Sequence, residues 1–412
     1  MVDKWSEMMD KGEAVDVIYL DFAKAFDTVP HERLLTKLAG YGVTGSALQW
    51  IRQFLTGRRQ RVGISGTFSE WAEVSSGVPQ GSVLGPILFV CYINDMPEVV
   101  KCCIYMYADD TKIFRDVNSD IDSSALQRDL DQLVKWEQKW QLRFNADKCK
   151  VMHLGGDKNL HKQYVMKSII LEENIEEKDL GVWISNSLKT TSHVAHSVCK
   201  ANQILGLIRR SFTYLDSKLM KQLYTALVRP HIEYANVIWH PDNKKDLELI
   251  EGVQHRATKL VPGMSKLSYE EILQKMDLPS LSYRRLRGDA IEVYKYLNSI
   301  YRVDSSDLLP LHKASGHETR GHCLKLQKRE CHERLRANQL GFRIVNLWNL
   351  LPESVVASNS VNCFIGRFDR LFRGMQHREL FNESDWIQCM MDNRRTSDTN
   401  RSTGKLPTTD RT

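Results

Sequence analysis

Ile104-Tyr105-Met106-Tyr107-Ala108-Asp109-Asp110-Thr111-Lys112-Ile113-Phe114 is the stretch on which the reading of this chain turns. Ile104 to Tyr107 and Thr111 to Phe114 are short runs of strand type, and the residues between them read as a tight turn with two acids at its tip. Neighbouring carboxylates at the end of an apolar strand repel each other unless a cation sits close by. Upstream, Val15 to Phe22 (VDVIYLDF) suits a buried strand with Asp21 at its exit. Between the two lies Ser75 to Gly81 (SSGVPQG), a loop by its glycine and proline content. Val83 to Ile93 follows, apolar almost throughout, which predicts a buried helix with Pro86 tolerated in its first turn. Taken singly, an Asp-Asp turn reads as a solvated hairpin tip and a strand-ending Asp as a helix cap. The ordered set of strand-Asp, Gly-Val-Pro-Gln-Gly, buried helix and acid-tipped hairpin points instead to carboxylates converging on a hard cation such as Mg²⁺.

Further out, residues 3–12 are polar and helical in character. His31 to Leu38 and Ser46 to Leu55 predict two helices, separated by Gly40, Gly42 and Gly45. Residues 57–74 look like a hairpin. Leu126 to Trp140 carries apolar residues at 126, 130, 133, 134, 136 and 140, the spacing of a helix lying against a sheet. Phe144 to Leu154 and Leu180 to Ile184 return to extended structure. From His193 onward the pattern becomes helical, with helices expected over 198–212, 218–234, 246–260, 268–302 and 342–351, the last ending at Pro352. Residues 303–340 are polar and basic, and the chain from Asn393 has the composition of a disordered tail.

The bulk properties exclude little. A chain of 412 residues, 42% hydrophobic and 26% charged, is long enough for two to four packed units. A formal charge of +6 puts any nucleic-acid contact on local clusters rather than on a global field. Arg52, Arg58, Arg59 and Arg61 form one such cluster, and Arg209-Arg210 another. Nine scattered cysteines show no disulfide framework. No run approaches the roughly 18 apolar residues of a membrane span, and the N-terminus is no signal peptide. A soluble intracellular protein without a membrane contact is expected, with nucleus and cytoplasm both open. His317, His322, Cys323, Cys331 and His332 invite a zinc reading, but their spacing matches no paired-ligand pattern.

At the motifs themselves the chain resembles the reverse transcriptases of non-LTR (LINE-type, jockey-like) retrotransposons. Leu20-Asp21-Phe22-Ala23-Lys24-Ala25-Phe26-Asp27 is similar to their first catalytic motif, Ser76-Gly77-Val78-Pro79-Gln80-Gly81-Ser82 to the second and Tyr107-Ala108-Asp109-Asp110 to the third. Residues 142–150 (LRFNADKCK) resemble the fourth, and Lys178-Asp179-Leu180-Gly181-Val182 the primer grip. Residues 343–352 (RIVNLWNLLP) look like the C-terminal part of jockey-like elements, so the resemblance covers nearly all of 10–372.

The resemblance implies an α+β fold: a right-hand polymerase palm, with an antiparallel sheet and packed helices, then a helical thumb and a helical C-terminal region. The expected divisions are palm with a remnant of fingers over 1–160, primer grip and thumb over 161–260, the C-terminal region over 261–392, and a tail. The implied activity is RNA-directed DNA polymerisation, a two-metal nucleotidyl transfer of dNTPs onto a DNA primer along an RNA template. Asp21, Asp109 and Asp110 are implied as ligands for two Mg²⁺ ions, with Mn²⁺ a substitute. Lys148 is the candidate for protonating the pyrophosphate, with Lys150 competing. Phe22, Phe26, Gln80, Gly81 and Tyr107 are implied at the substrate. Phe26 would lie under the incoming sugar, Gln80 by the nascent pair and Tyr107 by the primer end. Arg58, Arg59, Arg61 and Gly181 are implied nucleic-acid contacts. The family's fingers region normally precedes the first motif, whereas about a dozen residues precede Val15 here. That suggests an N-terminally truncated copy, and a catalytically silent nucleic-acid-binding remnant is the competing expectation. Oligomeric state is not legible.

Overall fold

The structure is a computed structural model describing residues 1–241, 243–312, 321–379 and 386–388. The tail expected from Asn393 and the candidate ligand His317 lie outside the described residues. The chain divides into two compact units, one of residues 3–180 with 185–188 and one of 181–184 with 189 onward. The first boundary therefore falls about twenty residues after the expected one at 160, because Tyr164, Met166 and Leu171 are buried in the first unit's core.

The first unit starts with α1 (Val2–Asp10) and β1 (Val15–Leu20), followed by α2 (His31–Gly40) and α3 (Gly45–Leu55). Four two-residue strands come next, β2 (Arg59–Gln60), β3 (Gly63–Ile64), β4 (Thr67–Phe68) and β5 (Ala72–Glu73). They pair as β2 with β5 and β3 with β4, which is the expected hairpin in two tiers. Then come α4 (Leu84–Ile93), β6 (Cys103–Tyr107), β7 (Asp110–Asp116), α5 (Asp120–Trp140) and β8 (Lys150–Leu154). The short strands β9 (Val165–Met166), β10 (Ile169–Ile170) and β11 (Glu172–Glu173) follow.

The sheet has the order β11-β8-β1-β7-β6, antiparallel except where β11 runs parallel to β8. β1 is central and buried over Val15 to Ile18, as its nearly unbroken apolar run requires. One core gathers Ile18 and Leu20 with Leu34, Leu35 and Leu38 of α2, Leu88, Phe89, Tyr92 and Ile93 of α4, and Leu126, Leu130, Leu133 and Trp136 of α5. Each such side chain stabilises the fold by about 1.5–3 kcal/mol.

Two local expectations need correction. α4 is not wholly buried: Val83 just ahead of it, and Ile87 and Val90 on it, are exposed, so an apolar sequence here covers a one-sided helix. An all-apolar helix carries no polar face to tell the two cases apart. Phe144 to Leu154 is extended only from Lys150, since the segment before it is a loop hydrogen-bonded to the exit of β1.

The second unit is helical as expected, with α6 (Thr191–Ser211), α7 (Ser217–Leu223), α8 (Arg229–Glu233), α9 (Lys244–Thr258), α10 (Tyr269–Met276) and α11 (Leu281–Leu297). The helix expected over 218–234 is interrupted by a π-turn at Tyr224–Val228, directly ahead of Pro230. A proline has no N–H to give and crowds the preceding turn, and the wider π-turn relieves that. The helix expected over 268–302 breaks between α10 and α11, where Asp277 is left-handed (φ 49°) and Pro279 follows. Glu251 is buried and accepts from Leu281 N, Ser282 N and the Tyr269 hydroxyl, so it caps the start of α11. Burial pushes its carboxyl up to about 7. Further along, Tyr283, Trp348, Phe364, Phe368 and Phe372 form an aromatic core, and Arg343 grips Asp289 at 2.7 and 2.9 Å. Among the described residues no helix is long and apolar enough to cross a membrane.

Candidate active site

Strand register brings the acids together. Leu20 at the end of β1 stands opposite Thr111 of β7, and Tyr107 opposite Asp110 across the β6–β7 turn. Asp21, the next residue after Leu20, therefore emerges beside Asp110 and the turn that carries Asp109. Ala108 opens that turn in the left-handed region (φ 52°), a conformation costly for a residue with a Cβ and met most often where geometry is imposed. The Asp109 and Asp110 side chains are exposed, and among the described residues neither makes a hydrogen bond or an ion pair. Among the described residues Asp21 pairs with one cation, Lys148, whose Nζ lies 3.9 Å from Oδ2.

The electrostatics follow from that arrangement. Partial burial, and then the charge of Asp109, lifts the Asp110 carboxyl above the ordinary carboxylate range. Asp21 is lifted too, chiefly by desolvation, with Lys148 opposing and Asp109 adding to the rise. Asp109 thus raises the cost of charge on Asp21 and Asp110, and Lys112 offsets part of it on Asp110. The set offers hard oxygen donors with no ion pair to Asp109 or Asp110 among the described residues. This is the donor chemistry that a Mg²⁺ ion takes.

The loop before β8 is laced to the exit of β1. Ala23 N donates to Arg143 O (2.8 Å), Asn145 N to Asp21 O (2.8 Å), and Asp21 N to Cys149 Sγ (3.4 Å). These bonds hold Lys148 over Asp21. Lys150, the competing lysine, points to Glu172 at 3.6 Å instead. Burial raises the Cys149 thiol to about 11, so it stays protonated and serves as a neutral acceptor.

The second-motif loop is fixed just as firmly. Gly77 N donates to Val29 O and Val78 N to Phe26 O, at 2.8 and 2.7 Å. Gly77 is left-handed (φ 87°), and a Cβ there would sit 2.6 Å from Asp27 O, so only glycine fits. Arg58 donates from Nη2 to Gly77 O (2.7 Å) and from Nε to Leu55 O (2.9 Å). Arg58 thus ties the loop down, a correction to its expected role as a free phosphate contact. Arg59 and Arg61 are exposed, with Arg61 over the Phe68 and Trp71 rings at 4.0 and 4.7 Å from their centroids.

The expected substrate residues separate into two groups. Gln80, Gly81 and Tyr107 are exposed. Phe26 is half-buried and stacks on Phe89 at 4.4 Å. Phe22 is a correction: it is 6% exposed and stacked on Phe144 at 4.6 Å, so its ring belongs to the core rather than to a substrate surface. Gly181 belongs to the second unit, where it is left-handed (φ 85°) with Tyr234 2.9 Å from where a Cβ would lie. His322 hydrogen-bonds Trp348 O and is buried, which occupies one nitrogen of the weak zinc reading. A groove of about 950 Å³ is lined by Thr28, Ser75, Ser76, Gln141 and Arg143 among others, and none of the three acids borders it.

Sequence reasoning missed one pair. Lys112 on β7, two residues beyond Asp110, forms a buried ion pair with Asp179. It ties the acid-bearing strand to the segment that leads into Leu180. The signal was a lysine inside Thr111-Lys112-Ile113-Phe114, a strand whose next neighbours are apolar.

Compared with known proteins, residues 4–215 match the family model described as reverse transcriptase (RNA-dependent DNA polymerase). The chain belongs to the reverse transcriptase family. It is similar to the RNA-directed DNA polymerase from mobile element jockey of Drosophila funebris, 29% identical over 273 residues, covering 62% of this chain and 29% of that protein. It is also similar to the probable RNA-directed DNA polymerase from transposon X-element of Drosophila melanogaster, 25% identical over 265 residues with the same shares covered. This reverse transcriptase chain thus spans less than a third of the length of the curated relatives it matches. Among solved structures, telomerase from Candida albicans in complex with a fragment of telomeric RNA aligns with a TM-score of 0.38 and 12% identity, over 67% of this chain and 52% of that one.

Proposed function

We propose that the chain is the RNA-directed DNA polymerase portion of a non-LTR retrotransposon, adding dNTPs to a DNA primer along an RNA template. In this reading the first unit is the palm, and the second begins with the thumb. The observation that carries it is the register that sets Asp21 beside Asp109 and Asp110, with the hairpin carboxylates unpaired among the described residues. Those three residues would hold the divalent ions, Mg²⁺ or in its place Mn²⁺. When bound, the ions supply activation of the primer hydroxyl and neutralisation of triphosphate charge.

The chain's own residues do the rest. Lys148, exposed and tethered by its loop next to Asp21, protonates the departing pyrophosphate. Phe26, braced from behind by Phe89, presents an aromatic edge that excludes a ribose 2′-hydroxyl. Gln80 and Gly81, held on a loop pinned by Gly77 and Arg58, touch the nascent pair. Tyr107 sits against the primer end, and Gly181, whose missing Cβ makes room for the Tyr234 ring, contacts the primer strand through its backbone. Arg59 and Arg61 contact phosphates without reading sequence.

The test is primer extension on an RNA template with Mg²⁺, comparing the chain with Asp109→Asn. Extension by the parent and its loss in the variant is the expected result. Salt-dependent template binding with no extension by either chain would replace the polymerase with a silent binding remnant.

A further inference from the structure

We propose that His153, His161 and Glu173 form a second divalent-metal site, of the zinc class, at the opposite end of β1 from the polymerase acids. β1 rises about 3.3 Å per residue, so Asp16 at its start lies about 17 Å from Asp21 at its exit. His153 stands opposite Asp16 on β8, Glu173 is on β11 next to β8, and His161 is in the loop between. One ligand atom from each of the three lies within 4.8 Å of the others. His161 Nδ1 and Glu173 Oε1 are already 3.1 Å apart. Tetrahedral zinc, with bonds of about 2.0–2.1 Å, sets its ligand atoms about 3.3 Å from one another. The cluster therefore needs only a small contraction, and it falls on the two exposed side chains, His161 and Glu173.

The support behind these ligands is what an ordinary surface ion pair lacks. Asp16 is fully buried, and its Oδ1 accepts from His153 Nδ1 at 2.6 Å. That bond fixes the ring and leaves Nε2 as the nitrogen with a lone pair, the arrangement by which a carboxylate orients a metal-bound imidazole. Asp16 is itself held by Asn159 Nδ2 (2.7 Å) and the Tyr164 hydroxyl (2.6 Å). Asn159 also accepts from the backbone N of His161 at 2.8 Å. That bond helps to hold His161 left-handed (φ 47°), a conformation a histidine seldom takes. A single buried network thus positions both histidines.

Two imidazoles with one carboxylate select Zn²⁺ or Co²⁺ over Mg²⁺, and three protein ligands leave a fourth position for water. Bound metal would staple β8, β11 and the 155–162 loop together. The site is independent of the polymerase reading, and its test needs no polymerase activity.

The full chain is titrated with Zn²⁺ against a chromophoric chelator, in excess Mg²⁺ to mask the acids of the hairpin. Melting temperature and the visible spectrum of the Co²⁺ form are followed in parallel. The expected result is one zinc equivalent, a tetrahedral Co²⁺ spectrum and a zinc-dependent rise in melting temperature. His161→Ala and Glu173→Gln, both at exposed positions, should each lower affinity at least about tenfold while melting like the parent without metal. Absence of binding to the parent would overturn the site. So would affinity unchanged from the parent's in both variants, which is the outcome if the cysteines and histidines of 322–332 hold the zinc.

Discussion

Asp16 and Asp21 lie on or just past the same strand, five positions apart, and meet opposite fates. Asp16 is fully buried and accepts from a histidine, an asparagine and a tyrosine. Asp21 is half exposed, and among the described residues its carboxylate pairs only with a lysine at 3.9 Å. Fixing a buried carboxylate takes donors in the protein, while leaving one open to an ion takes their absence. Burial and partner count, more than residue type, separate the acid that holds the fold from the acid available for chemistry.

That contrast can be broken by exchanging the costs. Asp21→Asn should lower primer extension by about 10³-fold or more while leaving the urea midpoint close to the parent's. A parallel loss of stability would make Asp21 structural after all. Asp16→Ala leaves three donors unpaired in the core and should cost about 3–5 kcal/mol in equilibrium unfolding. A cost below about 1 kcal/mol would show that the network is not the anchor described. Lys148→Ala should slow single-turnover incorporation by about 10²-fold. An equal loss in Lys150→Ala, whose partner is Glu172, would contradict the assignment of the proton donor.

The smallest effect concerns charge. The Asp110 carboxyl is lifted by burial and by Asp109, so its ionised form is costlier in the folded chain than in the unfolded one. Stability therefore drops as pH rises through that raised value, and the penalty is fully present at neutral pH. With metal chelated, Asp110→Asn should raise the melting temperature at pH 7 by about 1–3 °C. The gain should shrink as pH falls into the carboxylate range, where the parent takes up its proton. A variant that melts lower than the parent at pH 7 would remove the repulsion from the account.

Much of the site was legible because short-range order carries it. The acid-tipped turn, the glycine loop and the strand ending in Asp21 are contiguous patterns, and their order survives without knowing the register. The Asp16 network was not legible, since its members at 16, 153, 159 and 164 meet only through the sheet. Lys112 and Asp179 hid for the same reason, being 67 residues apart. Phe22 and Arg58 sat inside recognisable motifs, yet the structure turns one into the core and the other onto carbonyls. A motif places a residue in sequence, but packing decides which way its side chain faces.

The central claim is that Asp21 and the Asp109–Asp110 turn hold divalent ions together at one site. Fe²⁺ in place of Mg²⁺, with ascorbate and peroxide, cuts the backbone close to wherever the ion binds, and the fragments can be mapped by mass spectrometry. The account predicts paired cuts near residue 21 and near residues 108–110, both suppressed by excess Mg²⁺ and both lost in Asp109→Asn. Cuts at one segment without the other would contradict it.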